Sequence, residues 1–221
     1  MKQDFSSGVA FILEGDTEKV FYLALLNHFC QKHAGWKLAK INDLKSGEVY
    51  YSLTGEERII IIKIFVVGTI SQVAHSGVWF ENRCHRAYPA LKWTVFLCYD
   101  TDDYMPNITK FYEGDWDALR KRLAKSKTRE VIDLAAQADI EDIMLLDYNS
   151  IFKFLGIAPC PIPAGSKGKR KMKRLFRLLG PGHAYHEGIR AKALIDALDL
   201  DFIIQNAPLD FQKIERACFL E

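Results

Sequence analysis

Ile59-Ile60-Ile61-Ile62-Lys63-Ile64-Phe65-Val66-Val67 decides the architecture. Eight of these nine residues are apolar, most are β-branched, and nothing alternates between apolar and polar. A strand of that kind is covered on both faces, as parallel strands are when helices flank the sheet. Lys63, the one break, reads as an edge or strand-end charge. The run is far too short to cross a bilayer.

Working outward, Gly8-Val9-Ala10-Phe11-Ile12-Leu13 is a second buried strand, stopped by Glu14-Gly15-Asp16. Asp16 or Thr17 can cap the helix that follows, in which Phe21, Leu25 and Phe29 recur at helical spacing. Trp36 to Glu57 is polar and mixed and predicts no clear element. Ser71 to Tyr88 predicts a helix interrupted near Gly77. Trp93 to Tyr99 is a third strand, ending at Asp100-Thr101-Asp102-Asp103; Asp115 to Lys127 is a basic helix; Glu130 to Leu134 is a fourth strand. An apolar helix follows, through about Leu155. Strands alternating with helices predict an α/β domain with a mostly parallel four-stranded sheet over residues 1–158. Cys160-Pro161-Ile162-Pro163 breaks the alternation and opens a helical, basic C-terminal extension, 159–221, packed on that domain.

Composition narrows the class. The chain has 221 residues, 49% hydrophobic and 26% charged, which is a globular composition. The N-terminus lacks the apolar core and cleavage pattern of a signal peptide. Five scattered cysteines, with no C-x-x-C pair, fit neither a disulfide framework nor a zinc ribbon. These features predict a cytoplasmic protein without a membrane segment. No phosphate-binding loop of the Gly-Lys-Ser/Thr type occurs, so the chain is not itself a P-loop ATPase.

The net charge of +2 conceals a segregation. Lys167 to Arg177 carries seven Lys or Arg in eleven residues, and Ala118 to Arg129 carries six in twelve, neither with an acid. Without those thirteen positives, seventeen basic residues face twenty-eight acidic ones, a net −11. Basic patches against an acidic remainder suit a phosphate-binding surface beside an acidic site, although a solvated basic face reads equally well.

Sites in parallel α/β sheets form beyond the carboxyl ends of the strands. Glu14 follows the first strand, Asp100 and Asp102 the third, and Asp139 and Glu141 the fourth. Converging carboxylates repel unless a cation neutralises them, and oxygen donors favour Mg2+ or Mn2+.

These residues also resemble a known family. Leu13-Glu14-Gly15-Asp16-Thr17-Glu18 followed by Phe21-Tyr22 looks like the first motif of the Toprim domain, and Asp100-Thr101-Asp102 is similar to its Asp-x-Asp motif. Ala138 to Leu146 resembles a stretch of RloB-like and OLD-like defence-associated relatives. The resemblance implies a Toprim-like sheet and a metal-dependent nuclease hydrolysing phosphodiester bonds of RNA or DNA in antiviral defence. It implies Glu14, Asp100, Asp102 and Glu141 as catalytic residues. Glu14, Asp100 and Asp102, with Asp103 or Asp139, would hold the metal. Asp16 and Asp139 depart from the residues usual in relatives, which leaves the third ligand open. A non-catalytic nucleic-acid-binding scaffold and a phosphotransferase using the same acids are the alternatives. An ATPase partner and self-association belong to the same expectation.

Lys167, Lys169, Arg170, Lys171, Lys173, Arg174 and Arg177 would grip nucleic-acid phosphates along an amphipathic helix. Tyr185 could stack on a base, and His183 or His186 could donate a proton.

Overall fold

The structure is a computed structural model and describes residues 4–44, 47–68, 73–101, 113–126, 128–136, 139–165 and 167–220. Its sheet grows around β1 (Ser7–Leu13) and β4 (Ile59–Val66), which run parallel with Ala10 opposite Lys63. On the other side of β1 lies β5 (Trp93–Asp100), and beyond it β6 (Glu130–Ala136), both parallel. The fold is α/β, but among the described residues its sheet has six strands, in the order β2 (Lys37–Asp43), β3 (Glu48–Thr54), β4, β1, β5, β6. The expectation of four strands is corrected by β2 and β3, an antiparallel hairpin paired to β4. Polar residues appear on both faces of β2, which lies at the sheet edge. Its sequence therefore lacks the alternation that marks a half-buried strand.

Period-two geometry sends alternate residues of β1 to opposite cores. Val9, Phe11 and Leu13 face α1 (Asp16–Lys32) and the C-terminal helices, while Ala10 and Ile12 face α2 (Val73–Trp79) and α3 (Glu113–Lys125). A π-helical turn, Phe80–His85, continues α2. Residues 168–219 share the core of β1, through Met172, Leu175, Ile203, Phe211, Ile214 and Cys218. No helix among the described residues is long and apolar enough to cross a membrane.

Lys63 is neither an edge nor a strand-end charge. It lies mid-strand and 1% exposed, donating to Glu48 Oε2 at 2.7 Å and to the Arg83 carbonyl at 2.6 Å. The rings of Tyr88 and Tyr50 lie 5.0 and 5.9 Å from its ammonium. The β3 edge and the turn after α2 are thereby tied to the sheet centre, because a buried ammonium is tolerated only where its donors are met.

After β6 the predicted single helix is broken into α4 (Ile140–Met144) and α5 (Tyr148–Leu155), joined by a tight turn. Asp139 and Asp147 cap them by accepting from Asp142 N–H and Ser150 N–H. The basic segment forms α6 (Gly168–Arg177), and short helices α7 (Lys192–Ile195), α8 (Leu200–Asn206) and α9 (Gln212–Glu215) complete the chain.

Candidate active site

Three parallel strands deliver carboxyl groups to one end of the sheet. At the end of β1 the Glu14 N–H donates to the Cys98 carbonyl, keeping β1 and β5 in register through their last residues. Asp100, last in β5, returns the contact by donating its N–H to Glu14 Oε2 at 3.0 Å. Asp139 and Glu141 follow β6. The resulting cleft of about 550 Å3 is lined by the carboxyl residues Glu14, Asp16, Glu18, Asp100, Asp139, Glu141 and Glu187, and by Lys167 and Lys169. A volume of that size suits a small molecule.

The carboxyl groups perturb one another. Burial pushes the Asp100 pKa well above the usual carboxylate range, and the charges of Glu18, Glu14, Asp139 and Glu141 add to it in that order. Asp100 Oδ1 is buried and has no hydrogen-bond partner among the described residues. Burial, reinforced by Asp139, raises Glu141 to about 7, against the opposing pull of a hydrogen bond from Tyr185. Asp139 is raised to about 6, again chiefly by burial, although it accepts two backbone N–H groups. Near neutral pH, then, the cleft holds protonated carboxyls beside ionised ones, the condition for general acid and general base to coexist.

Asp139 is a structural clamp as well as a lining residue. Its Oδ1 accepts from Asp142 N–H at 3.0 Å, and its Oδ2 accepts from Lys169 N–H at 3.1 Å, so one carboxylate caps both α4 and α6. Asp142 takes the neighbouring α6 donor, Gly168 N–H, and pairs with Lys171 at 2.8 Å. The two helix starts touch so closely that a Cβ on Gly168 would stand 2.5 Å from the Glu141 carbonyl carbon and 2.6 Å from Asp139 Oδ1. Only glycine fits there.

The cleft thus gathers Glu14, Asp100, Asp139 and Glu141 as expected, while Asp102 and Asp103 lie outside the described residues. The basic residues are divided among several surroundings. Lys167 and Lys169 line the cleft; Lys171 pairs with Asp142, and Lys173 with Glu187; Arg170, Arg174 and Arg177 face solvent. Tyr185 is not placed to stack on a base. It is 4% exposed, packs on Phe176 and donates to Glu141. His183 and His186 are exposed and do not line the cleft. Three carboxyl residues of the lining, Asp16, Glu18 and Glu187, were not among the expected site residues. Glu18 lies four residues after Glu14 in the first turn of α1, a spacing that was legible; Glu187 is joined to the cleft by tertiary contacts alone.

Among the described residues, no group of three or more His, Cys, Asp or Glu lies close enough together to hold a metal ion. Glu14, Asp139 and Glu141 each accept hydrogen bonds from protein donors.

No family model matches the chain, and no curated protein matches it. Similar solved structures include a futalosine hydrolase mutant of Helicobacter pylori, at 10% identity over 87% of this chain and 85% of that one, TM-score 0.27. They also include the 5'-methylthioadenosine/S-adenosyl homocysteine nucleosidases of Helicobacter pylori (10% identity, 87% and 79% covered, TM-score 0.27) and Campylobacter jejuni (12% identity, 86% and 79%, TM-score 0.25). The Toprim identification is corrected: no family model supports it, and the described residues form six strands where four were expected. The metal-dependent nuclease of antiviral defence that came with it, and its scaffold and phosphotransferase alternatives, are withdrawn.

Proposed function

We propose that the cleft is the active site of a hydrolase that acts on a small polar substrate by carboxyl acid–base chemistry. The observation that supports it is the convergence of seven carboxyls, Glu14, Asp16, Glu18, Asp100, Asp139, Glu141 and Glu187, on one cleft, with Glu141 raised to about 7. Glu141 is the general acid. Tyr185 holds its Oε1, so the acid is presented in a single orientation. Glu14, from the end of β1, is the general base toward water. Asp100, whose charge is disfavoured by burial and by its acidic neighbours, keeps a proton and donates a hydrogen bond to the substrate. Breaking a glycosidic bond requires a proton on the leaving group and a base for water, which is the work such a carboxyl pair can perform. Acidic walls suit hydroxyl-rich ligands, because carboxylates accept from hydroxyl donors.

The test is release of product from a panel of nucleosides and aryl glycosides between pH 5 and 8, with and without EDTA. Turnover that resists EDTA and drops at least about a hundredfold in Glu141→Gln is expected for a lost general acid. Absence of turnover across the panel, or turnover that EDTA abolishes, overturns the reading.

A further inference from the structure

Lys169 and Lys173 stand one turn apart on α6, and both ammonium groups meet one carboxylate, that of Glu187. Lys173 Nζ lies 3.0 Å from Oε1, and Lys169 Nζ contacts Oε2. Lys169 and Glu187 also line the cleft, so this bridge forms part of its rim. Partial burial alone would raise the Glu187 carboxyl, but the two lysines outweigh it and hold its pKa below the usual value.

Glu187 is carried on a strap pinned on both sides of it. Tyr185 O–H donates to Glu141, and Gly188 N–H donates to Thr17 Oγ1 at the start of α1. Gly188 has a φ of +67°, a conformation that turns the chain sharply after Glu187. The backbone is therefore held while the Glu187 side chain remains free to rotate away. The side chains of Lys169, Lys173 and Glu187 are 43%, 44% and 37% exposed. Ion pairs at such exposure are weak, because water screens them. A single negative charge is thus bound loosely where two positive charges converge.

We propose that Lys169 and Lys173 form an anion subsite for a phosphoryl group of the ligand, occupied in the free protein by Glu187. A phosphomonoester carries about −1.5 to −2 at neutral pH and three acceptor oxygens, so it satisfies two ammoniums better than a carboxylate does. Binding exchanges one anion for another and swings Glu187 out. The nearby charges of Glu141 and Asp139 act on Lys169 from the cleft and set a limit on how tightly a dianion is held. This inference rests on the hydrolase reading only in calling the ligand a substrate.

The experiment titrates inorganic phosphate into the full chain, followed by calorimetry and amide NMR, for wild type, Glu187→Gln and the pair Lys169→Gln with Lys173→Gln. All three residues are partly exposed, and circular dichroism checks that each variant folds. Glu187→Gln should tighten phosphate binding at least about tenfold, the gain shrinking with added salt. The paired lysine variant should lose binding. Acetate should gain less than phosphate from Glu187→Gln. Equal affinity of wild type and Glu187→Gln, retained binding in the lysine pair, or an equal gain for acetate overturns the proposal. Phosphate binding is read without turnover. Absent hydrolysis with this binding pattern therefore defeats only the acid–base reading, whereas hydrolysis without it defeats only the subsite.

Discussion

Tyr185 donates its phenolic O–H to Glu141 Oε1 at 2.9 Å, 44 residues away along the chain, and both side chains are buried. The bond stabilises the ionised form of Glu141 against the burial that disfavours it. Tyr185→Phe should therefore move the Glu141 titration upward from about 7 and cost about 1–3 kcal/mol of stability. Carboxyl carbon NMR reads the midpoint directly; an unchanged or lower value would show that the bond does not govern Glu141.

Stability should depend on pH in the direction set by raised carboxyls. Glu141 titrates near 7 rather than 4.5, and Asp139 near 6 rather than 3.8, so folding favours their protonated forms. Their stabilisation is complete below about pH 4 and is lost as pH rises through 6 and 7, on the order of a few kcal/mol in all. Thermal melts from pH 4.5 to 8 should show Tm falling up to about pH 7 and levelling above it, with a shallower fall in Glu141→Gln. A Tm that climbs from pH 6 to 8 would contradict the arrangement.

Lys63→Met removes the buried ammonium and with it the hydrogen bonds to Glu48 and to the Arg83 carbonyl. About 3 kcal/mol should be lost by urea denaturation. Adding Glu48→Gln should recover part of it, because the carboxylate that lost this ammonium is then a neutral amide. If the two losses simply add, the pair is not energetically coupled.

Gly168→Ala places a methyl group inside the contact between α4 and α6. A loss of about 1–3 kcal/mol is expected. The Lys169 N–H to Asp139 bond should weaken with it, visible as faster amide exchange at Lys169. Gly180, where a Cβ would meet no atom within 4 Å, is the contrasting site: strain from its φ of +102° is expected there, without the collapse of a helix contact.

What the chain determined locally is its α/β alternation. Ile59–Val66, Ser7–Leu13 and Trp93–Asp100 are apolar on both faces because both faces are covered, and that demand is written into each segment separately. The positions of Glu14, Asp100, Asp139 and Glu141 after strands were legible for the same reason, since parallel strands end on one side of the sheet. The β2–β3 hairpin was not, because an edge strand with polar residues on both faces carries no strong period. Nor could local sequence show that Lys63 is buried, that Tyr185 turns inward to Glu141, or that Glu187 closes over two lysines of α6. Those are pairings between residues distant in the chain. Which donor meets which acceptor is decided only when packing brings segments together, because a charge or hydroxyl has no preferred partner until burial removes the competing water.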